Sequence, residues 1–467
     1  MTGNDTSKLK ELSDSPIGRL LWRYSLPAVV GMLVMSLYNI IDRIFIGQGV
    51  GPEAIAGLAI TFPVMNLSAA FGVLIGAGGS ARLSILLGAK DYAGAQKTLC
   101  SSLILLLIIV GCYILSFVVF IDDILMAFGA SAVTLPYARD FMLYILPGMF
   151  MTNLAFTFNN FMRASGYPIK AMITMLIGAG CNLLLAPVFI FYLEWGIKGA
   201  AIATDISMAI SAYFVLSHFF SAKNTLYFTR DRDMYRLRSK IILPVLSIGA
   251  APSLVNAAAC FINIIINKSL YQYGGDMAVA AAGIFTSYTS LMTMVVVGIC
   301  QGMQPIVGYN YGAGKLERLR RTYWLAVGVA TLIVTVGQSV GLFFPDYIGR
   351  AFSNDPILIR ETVRCLHISL MAFTVVGFQV VSTTLFQSIG KAKASIFLSL
   401  TRQVIFLIPL LLVLPPRMGL DGVWTAFPVS DLVATLVTTV MVVWQLAKFR
   451  KAETCIPEKG LHERASL

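Results

Sequence analysis

The chain has 467 residues, 57% of them hydrophobic and only 12% charged, about half the charge fraction of a soluble domain. Its apolar residues come in long runs, and a run of about 20 crosses a bilayer as a helix, so a soluble globular fold is excluded and a polytopic α-helical membrane protein is expected. The net charge of +12 is spread through the short segments between apolar runs, a pattern of membrane topology that argues against a nucleic-acid partner.

Residues Met1 to Leu20 are polar and charged, with neither an apolar centre nor a small-residue cleavage site, so no signal peptide is expected there. Twelve apolar spans follow, at approximately 22–47, 54–80, 95–120, 136–158, 168–192, 198–220, 241–268, 277–304, 322–344, 360–386, 394–415 and 421–446. The N-terminal tail, the loops after the even-numbered spans and the C-terminal tail hold most of the 35 Lys and Arg, which predicts that both termini are cytoplasmic. Seven cysteines are scattered with no CxxC pair, and three histidines lie far apart. Neither a disulfide framework nor metal-ligand spacing results, and the thiols read as packing residues.

The longest polar interval, Ser221 to Lys240, divides the chain into an N-lobe (1–221, spans one to six), a linker (222–240) and a C-lobe with its tail (241–467, spans seven to twelve). The halves repeat. A shift of 224 places Asn39 on Asn263, Gly88-Ala89 on Gly312-Ala313 and Gly166 on Gly390, and one residue less places Gly196 and Gly199 on Gly419 and Gly422. Six spans per half make the repeats parallel, related by an axis along the membrane normal, and transporters place substrate between such halves.

An ionisable group inside a span is costly, about 2.5–3.5 kcal/mol for a mid-helix Asp on insertion scales, and by default marks an ion or substrate path. Asp42 in span one is such a group, with Asn39 one helical turn before it on the same face. Topology brings Asn182 of span five and Thr204 and Asp205 of span six to the same depth. The C-half contributes Asn256 and Asn263 in span seven, Tyr288 and Met292 in span eight and Asp431 in span twelve. With Met35, Tyr38 and Asn39 these are the candidate lining of a substrate cavity, where flexible thioethers suit a promiscuous surface. The run QGMQPIVGYNYGAGK from Gln301 reads as a helix end, with Pro305 breaking the helix and Gly308, Gly312 and Gly314 turning the chain. It does not meet the phosphate-loop spacing. No paired catalytic motif appears, so the chain is read as a non-enzyme.

Five segments carry a family resemblance: NIIDRIFIG (Asn39 to Gly47), RASGYPIKA (Arg163 to Ala171), YGGDMAVAAAGI (Tyr273 to Ile284), QGMQPIVGYNYGA (Gln301 to Ala313) and AFPVSDL (Ala426 to Leu432). The sequence resembles the multidrug and toxic compound extrusion (MATE) family, most of all its MepA-like branch. The resemblance implies twelve helices in two lobes forming a V, and export of cationic drugs by alternating access against inward H⁺ or Na⁺. It implies no cofactor, a monomer, and a bacterial-type plasma membrane. It gives Asp42 the coupling role, with Asn182 and Thr204 beside it, and these three are the candidate holders of Na⁺. Similar proteins often carry a second carboxylate four residues after the span-five Asn. Ala186 stands there, which favours H⁺ over Na⁺, and Asp205 is the candidate replacement from the next helix. The rival expectation is a flippase of the same superfamily for a lipid-linked substrate. That would favour clustered basic residues in the cavity, whereas the mid-span charges are mostly acidic, with Arg402 in span eleven and Arg163 at the end of span four the exceptions.

Overall fold

The computed structural model describes residues 3–49, 52–128 and 134–454, and among them every regular element is helical. Ten helices are individually long and apolar enough to cross a membrane. One of them, Ser239–Gly312, runs for 74 residues but leaves helical geometry at Gly275 (φ 65°, ψ −161°), so it is two spans joined at a glycine that supplies the positive φ. The bent pair Pro356–Ser369 and Thr374–Ser388 makes one more. The protein is thus an all-α membrane protein of twelve spans in two parallel six-helix repeats, arranged as a V.

Spans one to six are Ile17–Gly49, Pro52–Gly88, Tyr92–Val119, Leu135–Ala164, Pro168–Pro187 continued by a π-helical turn Val188–Tyr192, and Gly196–Phe220. Spans seven and eight occupy 239–274 and 276–312. Span nine is Leu316–Phe343, and span ten is the bent pair. Span eleven runs from Ala392–Leu400 through a π-helical turn, Thr401–Leu407, into Ile408–Val413. Span twelve is Leu420–Thr454. A short helix, Gly3–Asp14, precedes span one. The segment between spans six and seven holds only a 3₁₀ turn, Arg232–Tyr235. It is tied to span three by Ser101 Oγ, which donates to the carbonyls of Met234 and Arg236 at 3.2 and 3.1 Å.

Two features go beyond or against the sequence reading. Span ten is bent: its halves meet at 58°. No proline or glycine lies at the break. Instead the Gln338 side chain of span nine enters it, accepting from the Thr374 backbone N–H at 2.7 Å and donating to the Met371 carbonyl at 3.0 Å. Inside a membrane a broken helix persists only where such a partner satisfies the freed backbone. Nor does Pro305 end span eight; the helix passes through it to Gly312. Gly308 and Gly312 are contact residues rather than turns, packed on Ser84 and Ile85 of span two, and only Gly314 (φ 71°) turns the chain.

The lobes meet at the face that carries the N-terminal helix, and the contact is made by glycine against backbone. A Cβ at Gly88 would strike the Tyr309 carbonyl and one at Gly312 would strike the Ile85 carbonyl. Ile85 and Tyr309, like Gly88 and Gly312, are 224 residues apart, so the two contacts are images of one another across the pseudo-twofold. Gly78 and Gly249 press on Val245 and Leu74 in the same way, while Gly298 and Gly302 take Val29 and Ser25. Small residues let membrane helices approach this closely. Gln304 adds a hydrogen bond from Nε2 to the Ala77 carbonyl at 3.0 Å. The N-terminal helix crosses the seam: Leu12 is fully buried, Lys315 Nζ reaches Asp14 at 3.1 Å, and Arg318 donates to the Ser15 carbonyl at 2.7 Å. One apolar core runs through both lobes at this face, whereas a second, built around Ile46, Phe141, Ala186 and Ile197, belongs to the N-lobe alone. Toward the far face, spans one and seven present exposed side chains, among them Leu37, Ile40, Phe261 and Ile264.

Candidate functional site

The N-lobe site is assembled by three helices. Span five offers Asn182, almost fully buried, whose Nδ2 donates to Thr204 Oγ1 of span six at 2.9 Å. Thr204 in turn donates to the Ala200 carbonyl at 3.0 Å, which fixes its rotamer. Span one brings Tyr38, whose hydroxyl hydrogen-bonds Thr204 and which lies close enough to Asp42 to feel its charge. Asp42 is partly buried. One turn beyond it, Ile46 is fully buried in the apolar cluster of the N-lobe. A half-buried carboxylate therefore sits at the edge of an apolar core, beside a hydrogen-bonded chain of hydroxyl, hydroxyl and amide. That arrangement supplies an oxygen-rich place where a proton or a small monovalent cation can be held.

Of the sequence-predicted site residues, Asp42, Asn182 and Thr204 come together, and Tyr38, expected in the substrate cavity, joins them. Asp205 faces a different neighbour. Its carboxylate packs against Gly148 of span four, where a Cβ would strike its Oδ1, and that oxygen is buried with no hydrogen-bond partner among the described residues. Ala186 is fully buried among Ile190, Ile197 and Ala200, so the position where similar proteins often carry a carboxylate is a packing position. The side chain of Asn39 lies outside the described residues.

In the C-lobe, Asn256 and Asn263 are exposed on the far-face half of span seven, Asn256 bonding back to the Pro252 carbonyl at 3.0 Å. Tyr288 and Met292 turn inward instead: the Tyr288 hydroxyl donates to the Gly337 carbonyl of span nine at 2.7 Å, and the Met292 sulfur packs on Gly337 itself. Met35 is partly buried in span one. Asp431 is buried and ion-paired with Arg402 of span eleven, Nε to Oδ1 at 3.6 Å. The pair joins two residues that the sequence shows only as separate intramembrane charges. Among the described residues, no group of three or more His, Cys, Asp or Glu converges on a metal site.

Two lobes in contact at one face, with buried polar groups gathered inside each, define a two-lobed multi-pass membrane transporter. The MatE family model matches residues 27–188 and again 251–413, and its two starts stand 224 residues apart, the internal shift seen in the sequence. The chain belongs to the MatE family. It is 28% identical over 433 residues to the multidrug export protein MepA of Staphylococcus haemolyticus (strain JCSC1435), across 92% of this chain and 94% of that protein. It is 26% identical over 440 residues to the MepA protein of Staphylococcus aureus (strain NCTC 8325 / PS 47), with the same two coverages. Among solved structures it superposes on a MATE transporter in complex with MaL6, at a TM-score of 0.88 and 25% identity over 94% of this chain and 99% of that one. It also superposes on the outward-facing conformation of a multidrug resistance MATE family transporter, with the same score and identity over 94% and 98%.

Proposed function

We propose that the protein is a secondary active multidrug exporter that moves cationic amphiphilic compounds out of the cell by antiport with H⁺, or with Na⁺, through alternating access. The observation that carries the reading is the cluster of Asp42, Tyr38, Thr204 and Asn182 in a lobe whose glycine contacts with its partner lie at the N-terminal face. A carboxylate there is reached from the open side, and ion and drug both seek its negative charge. Coupling requires that the two lobe arrangements differ in affinity for ion and drug. Proton coupling is favoured because Ala186 supplies no second carboxylate for a cation cage, and Asp42 alone suffices to carry a proton. The topology reading puts both termini, the linker and the closed face in the cytoplasm of a bacterial-type plasma membrane, and the chain works as a monomer.

The test is drug efflux in proteoliposomes under H⁺ and Na⁺ gradients imposed separately. An inward H⁺ gradient drives ethidium export by the native chain, and Asp42→Asn inserts normally but loses gradient-driven export by roughly tenfold or more, within the usual coupling range. Full export by that variant refutes the assignment of Asp42.

A further inference from the structure

The C-lobe holds a charged counterpart of the N-lobe polar cluster, on the equivalent pair of helices. Under the repeat shift, Asp431 of span twelve falls on Met208, one turn after Thr204, and Arg402 of span eleven falls on Gly178 or Ala179, about one turn before Asn182. Residues one turn apart share a helix face, so Arg402 and Asp431 occupy the faces that in the N-lobe carry Asn182 and Thr204. Because span five runs away from the N-terminal face and span six runs back, both displacements go the same way, one turn toward that face. The C-lobe pair is therefore real in register as well as in space.

Its geometry is unsaturated. Arg402 Nε and Asp431 Oδ1 stand 3.6 Å apart, beyond hydrogen-bond length, and Asp431 is 8% exposed. Arg402 Nη1 is buried with no hydrogen-bond partner among the described residues, and Gln403 Oε1 beside it is in the same state. Arg402 and Gln403 both lie in the π-helical turn Thr401–Leu407, a distortion common at functional sites. Ser430 holds that turn by donating from Oγ to the Arg402 carbonyl at 2.5 Å. Two opposite charges are thus kept together in a low-dielectric interior while donor and acceptor capacity goes unused, which a purely structural ion pair does not do well.

We propose that Arg402 and Asp431 form a dipolar subsite for compounds that carry both an ammonium and a carboxylate, and that Arg402 sets its selectivity. The ligand's ammonium takes Asp431 and its carboxylate takes the guanidinium, Nη1 included, so every charge stays compensated. A simple monocation must instead displace Arg402 and leave it buried without a partner. The resident arginine thereby disfavours monocations at this subsite and favours ligands bearing their own carboxylate.

The proposal rests on the exporter reading, and the test separates the two. Binding is measured by equilibrium dialysis on the full chain in detergent, with two probes: an aryl-piperazine carboxylic acid and its methyl ester. The native protein binds the acid roughly tenfold more tightly than the ester, the scale of one charge-assisted hydrogen bond. Arg402→Gln abolishes that preference and raises affinity for the ester, and Asp431→Asn weakens both probes. The exchanged double variant, Arg402→Asp with Asp431→Arg, keeps the pair and retains the preference, which controls for misfolding of the single variants. Equal binding of the two probes by the native chain, or an unchanged acid-to-ester ratio in Arg402→Gln, overturns the subsite. Ethidium export by the native chain in proteoliposomes reports independently on the exporter reading, whichever way the binding falls.

Discussion

At the scale of single residues, the N-lobe site depends on fixed hydroxyls. Thr204 is held by the Ala200 carbonyl and receives the Asn182 amide, so Thr204→Val leaves a buried amide without an acceptor, a loss of about 1–3 kcal/mol. Its expected effect is weakened coupling with normal insertion, read as a shallower dependence of ethidium export on the imposed gradient. Asp205 tests a separate idea. Its carboxylate packs against Gly148, and Gly148→Ala should expel it. If Asp205 contributes to ion coupling, Gly148→Ala and Asp205→Asn give the same transport defect; native coupling in both removes it from the site. Asp42, Asn182 and Thr204 stand out in the sequence because a polar group in an apolar run is conspicuous. Tyr38 was read from the sequence only as a cavity residue, since an amphipathic ring has several satisfactory places and only the third dimension shows its nearness to Thr204 and Asp42. The Arg402–Asp431 pairing was hidden for a related reason: nothing in two runs almost thirty residues apart states that their faces meet.

At the scale of elements, the twelve spans followed from hydrophobic length, and the glycine turn at Gly275 falls between the expected spans 241–268 and 277–304. The bend in span ten was not legible, because its cause, Gln338, lies on another helix. Gln338→Leu removes both hydrogen bonds and should destabilise the bent span, lowering the melting temperature in detergent, whereas Gln338→Glu keeps the acceptor for Thr374 and restores part of the loss. Gly308 and Gly312 were misread as turn residues because a glycine needed for close approach and a glycine needed for positive φ look alike in sequence. Gly312→Val tests the distinction. Overpacking typically costs about 1–3 kcal/mol, and here it should fall on lobe contact rather than on span eight itself. Cysteine accessibility at the N-terminal face rises while helix content stays constant. The N-terminal helix adds a pH-dependent tie. Its Asp14 is held below its ordinary range, first of all by the hydrogen bond from Lys315. A depressed carboxylate contributes stability above its unfolded value and loses it as pH falls through the folded one. Docking of this helix should therefore be insensitive to pH near neutrality and weaken only on acidification through and below the ordinary carboxylate range, as followed by fluorescence of a label at residue 9.

At the scale of the whole molecule, the closed face is one contact made twice. Gly88 meets Tyr309 as Gly312 meets Ile85, and Gly78 with Gly249 mirrors Gly302 with Ser25. The duplication was legible in the sequence as a constant offset, but its use as an interlobe seal was not, since an offset carries no statement about which surfaces touch. A joint built from paired copies cannot come apart by halves. Parting one copy tilts the lobes about the other, which then has carbonyl oxygen pressed into glycine with no slack to absorb the rotation. Under the alternating access proposed above, the seam would act as a two-position catch. Its glycine contacts need no long side chains to find their partners, so they order little that was free beyond Gln304 and the ties of the N-terminal helix.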